Sequence, residues 1–278
     1  MPQETQIDGQ TMPITLYRWN AKSPDHIVVL AHGYAEHARR YDHVAEALVA
    51  NAAVVYAVDY PGHGKTDGVR ALVADIDDLA ADTEAVVKVA KGEWPELPVV
   101  MLGHSMGGIT ATRYAQNHQS ELMALVLTGP AIGGNPDLLG MVALPEIPEV
   151  PIDPSWLSRD PEVGRAYVED PLVYNGPFKR PTLEMFVTAV QQVKEGGSLG
   201  ELPTLWLHGE NDPLAPLGPA REAIDRIRGS ALQEKVYPGA MHEILNETNK
   251  DEVIGDIIGF IATAVKGGPK AVGSTHPA

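Results

Sequence analysis

Cysteine is missing altogether from the 278 residues. That excludes disulfides, thiolate metal sites and a cysteine nucleophile, and leaves the redox compartment open. Positive charge is also scarce: 21 Lys and Arg stand against 37 Asp and Glu, a formal net charge of -16. So acidic a surface repels phosphate backbones and anionic headgroups, which argues against a nucleic-acid partner. No apolar run approaches the roughly 18–20 residues that span a bilayer. The opening MPQETQIDGQTMP has neither a basic n-region nor an apolar h-region, so no signal peptide is expected and the protein reads as cytoplasmic. Hydrophobic residues make up 44% and charged residues 21%, the composition of a globular protein and not of a disordered one. The length suits one large domain or two small ones.

Short apolar runs alternate with longer helical patterns, which predicts an α/β fold around a mainly parallel, buried sheet. The predicted strands are 13–19, 26–31, 53–58, 98–104, 122–128, 203–208 and 232–238, rich in Val, Ile and Leu and bounded by Gly, Pro or polar residues. Helical spacing marks 40–51 (Tyr41, Val44, Leu48, Val49) and 76–91 (Ile76, Leu79, Val86, Val87, Val89), the latter with Asp75 or Asp78 as cap. It recurs at Val253, Ile254, Ile257, Ile258 and Ile261. More than 70 residues separate Thr128 from Pro203, and 130–181 hold ten of the 23 prolines, a density that forbids long helices at the segment's start. This predicts a core of 1–129 and 203–266, an inserted cap or lid at 130–202, and a flexible tail at 267–278.

The strongest chemical signal is GHSMG at 103–107. It follows an apolar strand and precedes the helix-like GITATRYAQNH, the setting of a nucleophile elbow. Gly103 and Gly107 let strand and helix approach closely around Ser105, while the helix turns its positive end toward a forming oxyanion. A serine needs a base, and the base an orienting acid. Asp212 and His242 each lie four residues past a predicted strand, where such sheets carry active-site loops, and the order Ser, Asp, His is met. Glu210 is the rival acid, nearer the strand end. Two backbone N–H groups should form the oxyanion hole: that of Met106, after the nucleophile, and that of Tyr34, in the loop after strand 26–31. Gly33 permits the close turn there, and His32 reads as structural.

PGHGKT at 61–66 resembles the end of a phosphate-binding loop, but the first glycine of that motif would fall on Asp59. HEILN at 242–246 resembles a zinc motif whose second ligand position is Asn246. No metal or nucleotide site is therefore expected.

Taken together, HGYAEHARRY (32–41), DYPGHGKTDG (59–68), GHSMGG (103–108), SRDPEVGRAYVEDPLVY (158–174), LHGENDPLAP (207–216) and PGAMHEILNE (238–247) resemble the monoacylglycerol lipases. These are lysophospholipase-like members of the α/β-hydrolase superfamily, and the actinobacterial ones are the nearest likeness. The resemblance runs from about residue 13 to 265. It implies an α/β-hydrolase fold with a cap over the sheet, cofactor-free catalysis, and hydrolysis of monoacylglycerols and similar monoesters. It puts Ser105, Asp212 and His242 on the family's triad, the amides of Tyr34 and Met106 on its oxyanion pair, and Glu36 and Arg40 on a polar cluster that supports the glycerol end of the substrate. The bulky Tyr34, where many members carry a smaller residue, and a short proline-rich first half of the cap are departures. Other readings on the same fold are a carboxylesterase, lysophospholipase, thioesterase or perhydrolase; a non-catalytic scaffold is the rival of another class. The run Leu138–Ile152, interrupted by charge only at Glu146 and Glu149, is expected to give the cap an apolar edge for transient contact with a membrane surface.

Overall fold

The computed structural model describes residues 1–267, so most of the expected tail, 268–278, lies outside the described residues. Eight strands form one sheet: β1 (Gln3–Asp8), β2 (Pro13–Trp19), β3 (His26–Ala31), β4 (Ala53–Asp59), β5 (Val99–His104), β6 (Leu122–Thr128), β7 (Thr204–Gly209) and β8 (Leu232–Tyr237). Their spatial order is β1-β2-β4-β3-β5-β6-β7-β8. Strand β2 runs antiparallel to both its neighbours, β1 and β4, and β3 through β8 pair in parallel. This is the mostly parallel α/β sheet that the alternating pattern predicts. Every residue of β3, β4 and β5 is buried, as continuous apolar runs require when helices cover both faces.

Helices α1 (Asp42–Ala50), α2 (Ile76–Glu93), α3 (Met106–Asn117), α4 (Pro136–Gly140), α5 (Pro161–Glu169), α6 (Arg180–Glu195), α7 (Leu217–Ile227) and α8 (Lys250–Gly267) complete the order. One apolar layer joins the sheet to α2, α3, α6 and α7 through Val86, Ile109, Tyr114, Val193 and Ile224. The other joins it to α1 and α8 through Val44, Leu48, Ile257 and Phe260. Burying each such side chain stabilises by roughly 1.5–3 kcal/mol. Asp75 caps α2, its carboxylate accepting from the Asp77 N–H at 2.9 Å.

The sequence reading leaves out β1, α4, α5, α6 and α7. Strand β1, QETQID, is almost wholly exposed and carries no apolar alternation; only its ladder to β2 makes it a strand. The proline-rich start of the 129–203 segment forms no helix longer than the five residues of α4. The 16-residue α6 begins only where the prolines thin out, with Pro181 in its first turn, where a missing N–H costs nothing. No helix among the described residues is long and apolar enough to cross a membrane.

Candidate active site

Ser105 is the single residue between β5 and α3, and its backbone is bent to φ 53° and ψ −118°. A side chain in that region is strained, and surrounding contacts must hold it there. Its carbonyl accepts from the N–H groups of Gly108, Ile109 and Ala131, and its own N–H donates to Thr128 at 3.2 Å. The motif's glycines are sterically required. A Cβ on Gly103 would lie 2.3 Å from the Gly107 carbonyl oxygen, and one on Gly107 would lie 2.1 Å from that of Ala31.

Asp212 and His242 come from the loops after β7 and β8, neighbours at one side of the sheet. His242 Nδ1 donates to Asp212 Oδ2 at 2.8 Å, and both side chains are buried. The other carboxylate oxygen, Oδ1, accepts from the Leu214 and Ala215 N–H groups at 2.9 and 2.8 Å, which fixes the acid's orientation. Burial alone would raise the Asp212 carboxyl, but His242 and these N–H groups hold it below the usual range. Burial alone would likewise lower His242, but Asp212, with Glu243 and Glu36 behind it, raises the imidazole above its ordinary value. Because Nδ1 faces the acid, the Nε2 lone pair is left for a proton acceptor's role. Ser105 and His242 both line one cavity, and among the described residues no hydrogen bond yet joins them, a looseness common in sites without substrate. Glu210, the rival acid, is exposed and accepts from the Gly239 N–H at 2.8 Å, away from His242.

The Tyr34 loop packs beside the serine: a Cβ on Gly33 would lie 3.3 Å from Ser105 Cβ. His32 is tied down at both nitrogens, Nδ1 donating to the Gly33 carbonyl at 2.7 Å and Nε2 accepting from the Tyr60 N–H at 3.2 Å, so the structural reading of it holds. The Tyr34 ring stacks on Phe178 at 5.0 Å, fixing the 129–203 segment to this loop.

Glu36 and Arg40 belong to a larger buried cluster. Glu36 accepts from the Gly33 N–H at 2.7 Å, from the Tyr41 hydroxyl, and from Arg40 Nη1 at 2.6 Å. Arg40 also forks onto Glu243 at 2.6 and 2.8 Å and lies over the Tyr167 ring, 4.9 Å from its centroid. Burial would raise Glu36, but Arg40, His104, His32 and the Tyr41 hydroxyl together hold the carboxyl down at about 2. His104, within the elbow itself, also lines the cavity. Its Nδ1 donates to the Thr128 carbonyl at 2.9 Å, and burial beside His242 pushes it down to about 4, leaving a neutral ring.

A clasp joins the 129–203 segment to the His242 loop. The His242 and Glu243 N–H groups donate to the Trp156 and Leu157 carbonyls at 3.3 and 2.7 Å. Beneath them the wholly buried Glu247 carboxylate accepts from the N–H groups of Met241, Arg159 and Thr248 at 2.9, 3.0 and 2.7 Å, and from Arg159 Nε at 3.0 Å. The cavity opens to solvent, and most of its wall is apolar: Leu138, Leu139, Ile152, Phe178, Phe186 and Leu214. Leu138 and Leu139 line the cavity and are half-buried; the large apolar residues of this run most exposed to water are Leu144 and Val150, at 43% and 54%.

A family model described as serine aminopeptidase, S33, matches residues 22–249. The chain belongs to the serine aminopeptidase S33 family of hydrolases. Within reach of this S33 chain are several named relatives. It is similar to a monoacylglycerol lipase of Mycolicibacterium smegmatis, 36% identical over 249 residues that cover 86% of this chain and 89% of that one. A solved monoacylglycerol lipase of Paleococcus ferrophilus is 27% identical with a TM-score of 0.77, covering 90% of this chain and 99% of that chain. A thermostable carboxyl esterase from Bacillus coagulans, solved in complex with glycerol, is 26% identical with a TM-score of 0.76, covering 95% and 99%. The resemblance read from the six motifs is borne out. Sequence reasoning missed His104, Tyr167, Glu243 and Glu247 in this S33 site. Glu243 and Glu247 sit in the quoted PGAMHEILNE, but their partners Arg40 and Arg159 are 203 and 88 residues away, so spacing carried no signal of the pairing.

Proposed function

We propose that the chain hydrolyses carboxylic esters of lipid monoesters, above all monoacylglycerols, to fatty acid and glycerol. The observation that carries the reading is a strained elbow serine and a buried Asp–His pair meeting at a cavity whose wall is largely aliphatic and aromatic. Such a wall suits an acyl chain, while a peptide would leave its amides unpaired there.

His242 Nε2 takes the proton of Ser105 Oγ as the oxygen attacks the ester carbonyl, and Asp212 holds the imidazole's tautomer and stabilises the imidazolium. The amides of Tyr34 and Met106 receive the oxyanion, aided by the positive end of α3. His242 then gives the proton to the departing glycerol oxygen, and a water activated by the same nitrogen frees the fatty acid from the serine. Residues 130–202 serve as the cap that encloses the chain, and Glu36 and Arg40 support the glycerol end. The named lipases among the relatives favour this chemistry, and it calls on no cofactor. Leu144 and Val150 give the cap an apolar edge with which to collect substrate from a membrane surface.

The test is a hydrolysis profile over monoacylglycerols, diacylglycerols and an aminoacyl anilide, with fluorophosphonate labelling alongside. Turnover of the monoesters and labelling that vanishes in Ser105→Ala are expected. Turnover of the anilide without the monoesters, or labelling that persists in the variant, overturns the reading.

A further inference from the structure

Two alanines stand in the left-handed region, Ala35 at φ 67° and Ala71 at φ 51°, and both are buried. That region strains any residue with a Cβ, so contacts from elsewhere must hold it. At both positions such a contact comes from the 129–203 segment. The Ala35 carbonyl accepts from the Tyr174 N–H at 2.8 Å, and the Ala71 carbonyl accepts from the Thr182 hydroxyl at 3.3 Å. Residues 170–178, between α5 and α6, are tied to the Tyr34 loop at a second point. His37 Nε2 donates to Asp170 Oδ2 at 2.9 Å, while Asp170 Oδ1 accepts from the Leu172 N–H at 2.8 Å. The His37 side chain is buried, and its Nδ1 has no partner among the described residues, so the bond to Asp170 is what fixes the ring. Arg70 braces the same stretch, donating to the carbonyls of Leu172 and Gly64.

We infer that residues 170–178 position the oxyanion hole: Asp170 acting through His37, and the Tyr174 N–H acting through Ala35, hold the Tyr34 amide beside Ser105. The inference deepens the proposed serine-hydrolase mechanism and rests on it. Tyr34 lies between two constrained neighbours. On one side is Gly33, whose added Cβ would stand 3.3 Å from Ser105 Cβ, and on the other is the left-handed Ala35. Strain at Ala35 favours a return to negative φ, which would turn the chain next to the Tyr34 N–H; the bond from Tyr174 opposes that rotation. The direction of this N–H matters because a donor stabilises an oxyanion only when it points at the place the charge develops. Asp170, His37, Ala35 and Tyr174 are not among the residues lining the cavity. Loosening them should therefore weaken binding of the transition state and leave binding of the ground-state ester almost untouched. Both strained alanines are held by residues 174–182, so this half of the segment acts as a fixed clamp on the core and not as a moving lid.

The experiment uses two inhibitors with the same alkyl chain. An alkyl trifluoromethyl ketone takes Ser105 Oγ at its carbonyl carbon, the serine proton passing to His242, and leaves an oxyanion in the hole; a 1-O-alkylglycerol ether fills the cavity and forms none. In Asp170→Ala the ketone should bind at least tenfold more weakly and the ether less than threefold, with kcat for 1-oleoylglycerol down tenfold or more and KM changed less than threefold. Asp170→Asn, which keeps an oxygen for His37, should stay within threefold of wild type, as should the exposed control Glu162→Gln. Ala35→Gly added to Asp170→Ala should recover at least threefold in kcat, because glycine holds φ 67° without strain; a merely loosened fold would not be rescued this way. Independently of any variant, the ketone should slow amide exchange of the wild-type protein at 33–38 and at 170–178 beyond the slowing by the ether. Equal losses of ketone and ether affinity, a rise in KM without a fall in kcat, no rescue by Ala35→Gly, or added protection at 33–38 without any at 170–178 overturns the inference and leaves the lipase reading standing. A wild type that binds the ketone but does not turn over 1-oleoylglycerol overturns the lipase reading alone, and one that does not bind the ketone overturns both.

Discussion

Replacing Glu247 by alanine strips three backbone N–H groups of their acceptor at once. The carboxylate has no exposed side-chain surface. It nevertheless stays ionised: burial pushes its pKa up, but the N–H groups of Met241, Thr248 and Arg159 and the Arg159 side chain bring it below the ordinary value. A buried donor left unpaired costs about 1–3 kcal/mol, so three together cost roughly 3–6 kcal/mol after partial relaxation and entry of water. Against a total stability of roughly 5–15 kcal/mol, that places Glu247→Ala near the edge of folding. Glu247→Gln keeps the volume and one accepting oxygen and should lose about 2 kcal/mol. The functional consequence is specific, because Met241 directly precedes His242. Freeing its N–H lets the imidazole drift from Asp212, so kcat should fall tenfold or more in Glu247→Gln, while KM, set by a cavity wall that Glu247 does not line, changes less than threefold. Urea unfolding with steady-state kinetics on a monoacylglycerol measures both. A Glu247→Ala protein with the wild-type midpoint, or a Glu247→Gln protein in which KM rises and kcat does not fall, refutes the reasoning.

Asp212→Asn should lose roughly 10³–10⁴ in kcat, as triads elsewhere do, whereas Glu210→Gln should stay near wild type; a dead Glu210 variant would reverse the assignment of the acid. The base must be neutral to act, and its pKa is raised above 6.5, so kcat/KM should climb with pH through a limb lying above 6.5. Glu243→Gln, which removes one of the raising charges, should move that limb down, and a wild-type limb below pH 6 would contradict the geometry. Leu144→Ser with Val150→Ser should weaken sedimentation with neutral phosphatidylcholine vesicles, and anionic lipid should not strengthen wild-type binding; equal binding by both proteins, or a preference for anionic vesicles, retires the membrane edge.

How much of this was written in the chain depends on the range of the interaction involved. Strands β3 to β7 are legible because being buried on both faces demands a nearly unbroken apolar run, whatever the neighbours are. The elbow is legible because its tightness imposes glycine at fixed offsets from one serine. Strand β1 is illegible for the opposite reason: all its residues but Ile7 are polar, and only pairing with β2 defines it. The proposed acid and base could be nominated from their places after β7 and β8, yet the preference for Asp212 over Glu210 rests on the 2.8 Å contact to His242. Leu138 and Leu139 look like a membrane edge in the sequence, since hydrophobicity does not say whether a side chain turns inward to a cavity or outward to water. Arg40's dual commitment is beyond sequence patterning, because one partner lies four residues away and the other across the whole fold.

The left-handed backbone at Ser105 sets activity against durability. Holding a non-glycine residue there costs about 1–3 kcal/mol, and alanine would inherit that strain in full. Glycine would not, and after its extra unfolded-state entropy of about 0.5–1 kcal/mol is deducted, Ser105→Gly should melt above Ser105→Ala, with a gain on the order of 1 kcal/mol. Thermal selection on this scaffold without a demand for turnover would therefore favour loss of the hydroxyl, and inert descendants of such a lineage should carry glycine at this position more readily than alanine.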